Sequence, residues 1–527
     1  MRHRDDSGGA AEREESGVAG DMIRGSLWTL VAAATGIPIG FVVNLVVARS
    51  LGPAGLGALA TYAAIVGVAM TVINLGISQS TVQWIAEMRS RDVESERLHL
   101  IRNCVGYHAF IEGPAVAVIV VFLLHSASPW VWGTAVLAVL ATQALGTSSV
   151  VLTATARNAP AAKLSMVAGL TLQATVVVVA LATRSASATY SAQLIAGMLG
   201  PLLCLFVVRG EERRAFLHPL VFRRLPTGFL RYGLSACGAS LVGTLVYGRS
   251  EIFVLEAHRL KVAAGIFALA TGLAGQITVP MDSVMGPLLP TATGLLAEAP
   301  TRATEAATRT LRVTSVLASF TMATAVPLVC VTIPLLFGSK FEQARVPFLV
   351  LGIVSCLGSV TVPLTMFILA TRNAGSMLRV NLACLAVDAG LAIGLVPLLG
   401  LWGAVAANAA AQLLSFGLLT VVAVKRVGIA AGPAARACRP LVLGFGATGL
   451  ALAGALVTGV STAHAMIASP IIGAVTCALG FRFLPGWRVS ASDGALVEAS
   501  LPPLLRPLFR GLARVFSLTA IAAVSTR

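Results

Sequence analysis

Fourteen long apolar runs dominate this chain of 527 residues and limit the folds that it can adopt. A helix needs about 20 predominantly apolar residues to cross the hydrocarbon core of a bilayer. Only 11% of the residues are charged, whereas soluble proteins carry roughly 25%. The sequence therefore predicts an all-α polytopic membrane protein with about 14 transmembrane helices, at residues 26–48, 56–76, 104–125, 130–154, 163–183, 190–208, 232–256, 262–290, 312–336, 346–371, 377–397, 401–424, 440–459 and 464–484.

The distribution of basic residues predicts the orientation in the membrane. If the N-terminus is cytoplasmic, 31 of the 38 Lys and Arg residues fall on the cytoplasmic side and 7 on the other side. Cytoplasmic loops of membrane proteins carry such an excess. We therefore expect both termini to be cytoplasmic. The same distribution accounts for the net charge of +16 without a nucleic-acid partner, because the basic residues are scattered and aromatic residues are few.

The loops and motifs favour a protein that is not an enzyme and has no catalytic residues. Each loop predicted on the outer side has fewer than a dozen residues, and no Gly-x-x-x-x-Gly-Lys motif for ATP hydrolysis occurs. The eight cysteines lie almost entirely in apolar runs without a Cys-x-x-Cys pair, so we expect neither disulfides nor a metal site. Two alternatives from other classes are a membrane-embedded glycosyltransferase or glycan polymerase, and a scaffold for glycan enzymes.

Two similar stretches indicate an internal duplication. TATARNAPAAKLS (153–165) follows the fourth span, and FILATRNAGSMLRVN (367–381) follows the tenth. Gly57 and Gly265 likewise open the second and eighth spans, each within a similar apolar sequence. Repeats with an even number of spans are related by an axis along the membrane normal. The sequence therefore predicts two pseudo-symmetric six-helix lobes in a V shape, at 23–208 and 232–425, followed by two C-terminal helices at 440–484.

Three segments lie outside the predicted lobes and spans. Residues 1–22 are polar and Gly-rich, which predicts a disordered cytoplasmic tail. Residues 209–231 form a basic cytoplasmic connector that anionic membrane lipids would hold at the surface. In the cytoplasmic tail at 485–527, three arginines occur four residues apart within an apolar background. This pattern predicts an interfacial amphipathic helix, with a docking helix for a glycosyltransferase as the alternative.

Charged residues inside the apolar runs are the candidates for function, because charge at the bilayer centre is costly. We expect the predicted cavity between the lobes to be lined by Arg49, Glu112, Arg249, Glu251, Asp282 and Asp388. Arg49 could instead extend its charge to the interface, and Glu112 and Asp388 could simply satisfy a neighbouring helix. Acidic residues in spans, with Glu112 and Asp388 foremost, could also take up H⁺ or Na⁺. The sequence leaves this coupling open, and it predicts no other cofactor.

Three stretches resemble a known family. VVARSLGPAGLGALATYAAIVGVAMTVINLGISQS (46–80) is similar to the first two spans of bacterial polysaccharide and oligosaccharide-lipid flippases. VAAGIFALATGLAGQITVPMDSVMGPLLPTATGL (262–295) resembles their eighth span, and LVPLLGLWGAVAANAAAQLLSFGLL (395–419) resembles their eleventh-to-twelfth junction. The family belongs to the multidrug/oligosaccharidyl-lipid/polysaccharide exporter superfamily. One departure is Glu251, where the family often has Asp.

The resemblance implies a flippase in the bacterial plasma membrane that moves an undecaprenyl-pyrophosphate-linked sugar from the inner to the outer leaflet. Its partners would be the polyprenyl-linked glycan, membrane lipids, and glycosyltransferases or a glycan polymerase. Arg157 and Arg372 could then make the first cytoplasmic contact with the phosphates, or act only as topology anchors. A peptidoglycan-precursor flippase, which also has fourteen spans, and a multidrug transporter, which usually has twelve, are the alternatives within the superfamily.

Overall fold

The computed structural model describes residues 6–90, 94–155, 158–221, 223, 225–246, 250–283, 300–371, 374–457, 462–487, 507, 510 and 511. Every regular element within these ranges is helical, as the apolar runs predict. Up to residue 246 the elements are α1 (Asp6–Asn74), α2 (Ile77–Ser90), α3 (Glu94–Tyr107), a π-helix (His108–Glu112), α4 (Gly113–Leu124), α5 (Pro129–Ala154), α6 (Asn158–Thr183), α7 (Ala186–Gly197), α8 (Leu199–Val207), α9 (Gly210–Ala215) and α10 (Phe229–Val246).

The elements after residue 249 continue the all-helical pattern. They are α11 (Ser250–Ala257), α12 (Lys261–Ser283), α13 (Pro300–Phe337), a 3₁₀-helix (Ser339–Ala344), α14 (Arg345–Ala370), α15 (Ala374–Leu399), α16 (Leu401–Val427), α17 (Ala431–Cys438), α18 (Pro440–Val457), α19 (Thr462–Phe483) and a short 3₁₀-helix (Pro485–Trp487).

Twelve helices in the described part of the chain are long and apolar enough to cross a membrane. The chain is therefore a multi-pass membrane protein, although the predicted count of fourteen is not confirmed. Two predicted spans account for the difference. The first two, at 26–48 and 56–76, both overlap a single candidate at Pro38–Asn74, because α1 comprises two helices that meet directly at a kink at Gly52, where φ is 67°. The seventh is represented by α10 and α11, neither of which qualifies on its own.

The N-terminal segment also differs from the sequence-based expectation. Helix α1 begins at Asp6, so most of the segment predicted as a disordered tail is helical in this structure. Ala10 and Ala11 are followed by Glu and Arg residues, all of which are strong helix formers. The prediction gave more weight to the polar and Gly-rich composition than to these local preferences. The interfacial helix predicted within 501–518 lies almost entirely outside the described residues.

The chain divides into two compact units. The first comprises Met1–Leu51 and Ala58–Leu241, and the second comprises Gly52–Gly57 and Val242–Arg527. In the second unit, both glycines of the duplicated motif lie at one contact between backbones. A Cβ on Gly57 would lie 2.2 Å from the carbonyl oxygen of Lys261, and a Cβ on Gly265 would lie 1.8 Å from that of Pro53. Glycine is therefore required at both positions of the repeated motif, because neither position has space for a side chain.

In the first unit, the basic connector is packed on α3 rather than free in solution. The side-chain amide of Asn103 donates to the Arg223 carbonyl oxygen (2.9 Å) and accepts from the Arg223 N–H (2.7 Å). The Leu220 N–H donates to the Arg102 carbonyl oxygen at 3.0 Å. Gly106 lets the two backbones approach, since a Cβ there would lie 1.9 Å from the Leu220 carbonyl oxygen. The connector thus uses backbone hydrogen bonds to hold a fixed position.

This contact predicts that Gly106→Ala destabilises the protein. The methyl group would push the connector off α3, and overpacking of this kind costs about 1–3 kcal/mol. We expect G106A to lower the midpoint of thermal unfolding of the purified protein in detergent. The matched control is Gly146→Ala on α5, because nothing lies within 4 Å of a Cβ at that position. Equal unfolding midpoints for the two variants would contradict the close contact.

Candidate functional site

The second unit contains a buried group of polar side chains that we call the carboxylate cluster: Ser250, Glu251, Asp388, Asn408 and Gln412. Three helices contribute to it. The first turn of α11 carries Ser250 and Glu251, the middle of α15 carries Asp388, and α16 carries Asn408 and Gln412 on one face, since residues four apart are neighbours on a helix. Glu251 and Asp388 have no exposed side-chain surface.

Hydrogen bonds connect the members of the carboxylate cluster in a chain. The amide of Gln412 donates to Asn408 Oδ1 at 2.6 Å, and Asn408 Nδ2 donates to Glu251 Oε1 at 2.7 Å. Ser250 Oγ lies 3.1 Å from Glu251 Oε2 and also contacts Asp388 Oδ2. The hydroxyl of Ser250 therefore bridges the two carboxyl groups, and the amides orient one of them from the other side.

The cluster has too few hydrogen-bond donors to satisfy two ionised carboxylates. Ser250 has one hydroxyl hydrogen, so it can donate to only one of the two carboxyl groups that it contacts. Asp388 Oδ1 is buried and has no hydrogen-bond partner. Two ionised carboxylates in such a place would repel each other in a poorly solvated environment. The arrangement suits either a proton shared between Glu251 and Asp388 or a bound monovalent cation.

The first unit contains a second buried polar group, which we call the histidine cluster: Asn74, Ser78, Cys104, His108, Glu112 and Thr147. His108 and Glu112 are each only 3% exposed and are the first and last residues of the π-helix. His108 Nε2 lies 3.5 Å from Glu112 Oε2, and Asn74 Nδ2 donates to the same carboxyl oxygen at 3.0 Å. On the other side of the ring, His108 Nδ1 lies 3.0 Å from Thr147 Oγ1.

Neither cluster resembles a metal site. Within the residues that the structure describes, no group of three or more His, Cys, Asp or Glu side chains is placed to hold a metal ion. The carboxyl, hydroxyl and imidazole groups of the two clusters are of the kinds that exchange protons, and their oxygen atoms are ligands of the kind that hard cations prefer.

The structure brings together two of the predicted site residues and separates others. Glu251 and Asp388 share the carboxylate cluster, whereas Glu112 belongs to the first unit and pairs with His108. Arg49 lies on α1 and is exposed. Asp282 is part of α12, but its side chain is outside the description. Arg157, Arg249 and Arg372 also lie outside the described residues, so their predicted roles stay predictions.

Several cluster members were missed because the prediction considered only charged residues. Asn408 and Gln412 are two amides four residues apart within an apolar run, and His108 precedes Glu112 by the same interval. A polar pair on one face of an apolar helix is itself a signal of a buried hydrogen-bond network. Ser250 carried no such signal, because a single serine is common in membrane helices.

This chain is similar to a known protein family and to solved structures of membrane proteins. A family model described as "Polysaccharide biosynthesis protein" matches residues 22–293. A comparison with curated protein sequences gives no match. The solved structure described as "Lipid II flippase MurJ, inward closed conformation" is similar at 11% identity, covering 87% of this chain and 100% of that chain with a TM-score of 0.62.

Transporter structures with the same fold are also similar. An inward-facing multidrug resistance MATE family transporter of the MOP superfamily aligns at 14% identity, covering 77% of this chain and 100% of that chain, with a TM-score of 0.52. A mutant of the Vibrio cholerae MATE transporter VcmN aligns at 15% identity, covering 78% and 97%, with a TM-score of 0.51. At these identities the likeness concerns the fold.

The carboxylate cluster predicts a distinctive dependence of stability on pH. Folding places two carboxyl groups around one hydroxyl, so the folded state holds a proton more firmly than the unfolded chain does. The free energy of unfolding of the native sequence should then fall as pH rises, because the folded state binds more protons than the unfolded state over this range. Asp388→Asn removes one of the two acids and keeps its shape.

We expect D388N to gain stability relative to the native sequence as pH rises from about 6 to about 9. The measurement is the thermal unfolding midpoint of both proteins in detergent across this range, without added sodium. The control is Glu305→Gln, because Glu305 is an exposed carboxylate on α13 that pairs only loosely with Arg309 (3.8 Å). If D388N and E305Q show the same change with pH, Asp388 does not share a proton in the folded state.

Proposed function

We propose that this chain, which belongs to the polysaccharide biosynthesis protein family, is a flippase that moves a lipid-linked oligosaccharide or polysaccharide repeat unit from the inner to the outer leaflet. The family match over residues 22–293 carries the proposal. The fold, which is similar to those of a lipid flippase and of multidrug transporters, supports transport as the general activity. The substrate would be a glycan on an undecaprenyl-pyrophosphate-type carrier in a bacterial plasma membrane, with both termini in the cytoplasm.

The physical task of such a flippase is to carry a polar headgroup through an apolar layer. Each charge at the centre of a bilayer costs roughly 3 kcal/mol on insertion scales, and a pyrophosphate carries several charges in addition to the sugar hydroxyls. A water-filled path lined by arginines would lower this cost, because guanidinium groups bind phosphate through paired hydrogen bonds. Arg49 and Arg249 are the candidates for the path, and Arg157 and Arg372 for the cytoplasmic entry.

Coupling to an ion would supply direction to this transport. The carboxylate cluster is the candidate, because a proton or a monovalent cation would reduce the repulsion between Glu251 and Asp388. The three helices that form it would hold together when the ion is bound, and repulsion between the two carboxylates would loosen them when it leaves. A ligand can shift a conformational equilibrium only through such a difference in affinity between states. Alternating access would then follow the occupancy of this cluster.

Deletion of the encoding gene tests the substrate. We expect the deletion strain to lose its surface polysaccharide and to accumulate the lipid-linked repeat unit on the inner leaflet, because synthesis continues without transfer. The measurement combines gel analysis of surface glycan with mass spectrometry of extracted polyprenyl lipids. Restoration by the native gene on a plasmid is the control.

Two other outcomes of the deletion would overturn the proposal. Cell lysis with accumulation of peptidoglycan precursor would indicate the lipid flippase of cell-wall synthesis. Unchanged glycan with a rise in drug sensitivity would indicate multidrug extrusion. If Arg249→Ala left glycan export intact while removal of residues 501–527 abolished it, the chain would act as a scaffold for glycan enzymes.

The role of the carboxylate cluster is tested by complementation of the same strain. We expect Glu251→Gln and Asp388→Asn each to reduce surface glycan by about tenfold or more, as expected for a coupling free energy of about 1–3 kcal/mol. Glu305→Gln should restore export fully, since this carboxylate is exposed. Equal protein levels in the membrane must be shown by immunoblot.

Varying the external ion then separates the two forms of coupling. Proton coupling predicts that export by the native protein depends on the proton gradient and not on sodium, and sodium coupling predicts the reverse. Full export by D388N and E251Q would remove the cluster from the mechanism, while the family-based assignment of the substrate would still stand on the deletion strain.

A further inference from the structure

The histidine cluster of the first unit has a composition that structural support alone does not require. Burial of a histidine and a glutamate side by side, each 3% exposed, is costly in an apolar bundle. Helix packing alone could be served by uncharged residues of the same size. We propose that His108 and Glu112 form a proton-binding site of the first unit, separate from the carboxylate cluster of the second unit.

The proton is the counter-charge that makes this pair neutral. With one shared proton, the pair is either a carboxylic acid beside a neutral imidazole or a carboxylate beside an imidazolium, and the net charge is zero in both forms. Without that proton the pair carries a net negative charge, and with a second proton it carries a net positive charge. Both charged states are unfavourable away from water. The pair therefore holds one proton near neutral pH and exchanges it when its surroundings change.

The described groups that contact His108 and Glu112 are uncharged in their ordinary protonation states, so the shared proton is the charge that balances the carboxylate. Cys104 and Tyr107 on α3 are the titratable side chains that contact the pair among the described residues, and both are neutral in their ordinary protonation state. Helix α5 contributes the hydroxyl of Thr147, and α1 contributes the amide of Asn74. These are hydrogen-bonding groups without charge.

The hydrogen bonds provide a route for the proton. His108 Nε2 lies 3.2 Å from Ser78 Oγ, which also accepts from Asn74 Nδ2 at 3.0 Å. Asn74 and Ser78 are only partly buried, so the hydrogen bonds of the pair lead from buried groups to less buried ones on their side. The opposite ring nitrogen contacts Thr147, whose hydroxyl lies 3.8 Å from the Cys104 sulfur. An imidazole with partners on both nitrogens can accept a proton at one and release it at the other.

The backbone at the pair also departs from a regular helix. Residues His108–Glu112 form a π-helix, and the N–H of Gly113 donates to the carbonyl oxygen of His108, five residues earlier. Such π-bulges are rare and occur frequently at functional sites. The wider turn places the imidazole and the carboxyl group within 3.5 Å of each other. This local distortion is a second observation, independent of the side-chain chemistry, that marks the same five residues.

Two spectroscopic measurements on the purified full-length protein test the proposal together. Infrared difference spectra between the native protein and Glu112→Gln report the carboxylic acid at residue 112, because the contributions of the carboxylate cluster cancel. Nitrogen-15 NMR of histidine-labelled protein, compared with His108→Gln, reports the charge of one imidazole among seven histidines. The fraction of carboxylic acid and the fraction of imidazolium should sum to about one proton near neutral pH.

The variants give expectations that a purely structural role would not produce. In H108Q the whole proton must reside on Glu112, so its carboxylic acid signal should become complete and then disappear at higher pH. In E112Q the imidazolium signal of His108 should be absent between about pH 5 and about pH 8, because its counter-charge is gone. Glu87→Gln on α2 is the control, since Glu87 is exposed and should alter neither signal.

Two results would overturn the proposal. A bare carboxylate beside a neutral imidazole near neutral pH would show that the pair holds no proton. Signals that do not change between about pH 5 and about pH 9 would show that the proton is fixed and is not exchanged. Because both readouts come from the purified protein without substrate, neither depends on whether the chain flips a lipid-linked glycan.

Discussion

The cost of placing ionisable groups among apolar helices is the constraint on which the interior of this protein depends. The described part of the chain has twelve helices apolar enough to cross a membrane, yet it buries Glu112, Glu251 and Asp388 almost completely. Each of these acids is held by short uncharged donors, namely the amides of Asn74 and Asn408 and the hydroxyl of Ser250. Such donors reduce the cost of a buried carboxyl group without removing its ability to exchange a proton.

The two clusters meet this constraint with different chemistry. The carboxylate cluster has two acids around one hydroxyl, so it carries two negative charges when both acids are ionised. The histidine cluster pairs an acid with a base, so a single proton makes the pair neutral. One proton therefore neutralises the histidine cluster but leaves one negative charge on the carboxylate cluster.

The sequence predicted the elements better than it predicted their junctions. Run length and low charge identify the spans, because a bilayer sets the length of an apolar helix. The junction predicted between the spans at 26–48 and 56–76 contains the kink at Gly52, where φ is 67°. The single span predicted at 232–256 corresponds to two helices, α10 and α11, among the described residues. Hydropathy does not separate these two helices, because both lie in one apolar run.

The sequence indicated the charged members of the candidate site but not their uncharged partners. Charge inside an apolar run singled out Glu251 and Asp388, which the structure places together in the carboxylate cluster. The contact between these two side chains depends on how α11, α15 and α16 pack, and the spacing of residues along the chain does not predict that packing. The uncharged partners Ser250 and Asn408 were missed, because serine and asparagine are tolerated in membrane helices for several reasons.

The connector is held by contacts inside the first unit. Asn103 and Gly106 on α3 fix Arg223 and Leu220, respectively. The first half of α10 is fixed as well, since a Cβ on Gly233 would lie 2.8 Å from the Leu75 carbonyl oxygen and Cys237 Sγ donates to the Thr71 carbonyl oxygen at 3.2 Å. The division falls after Leu241, inside α10. The connector and the first half of α10 are therefore both held by contacts within the first unit.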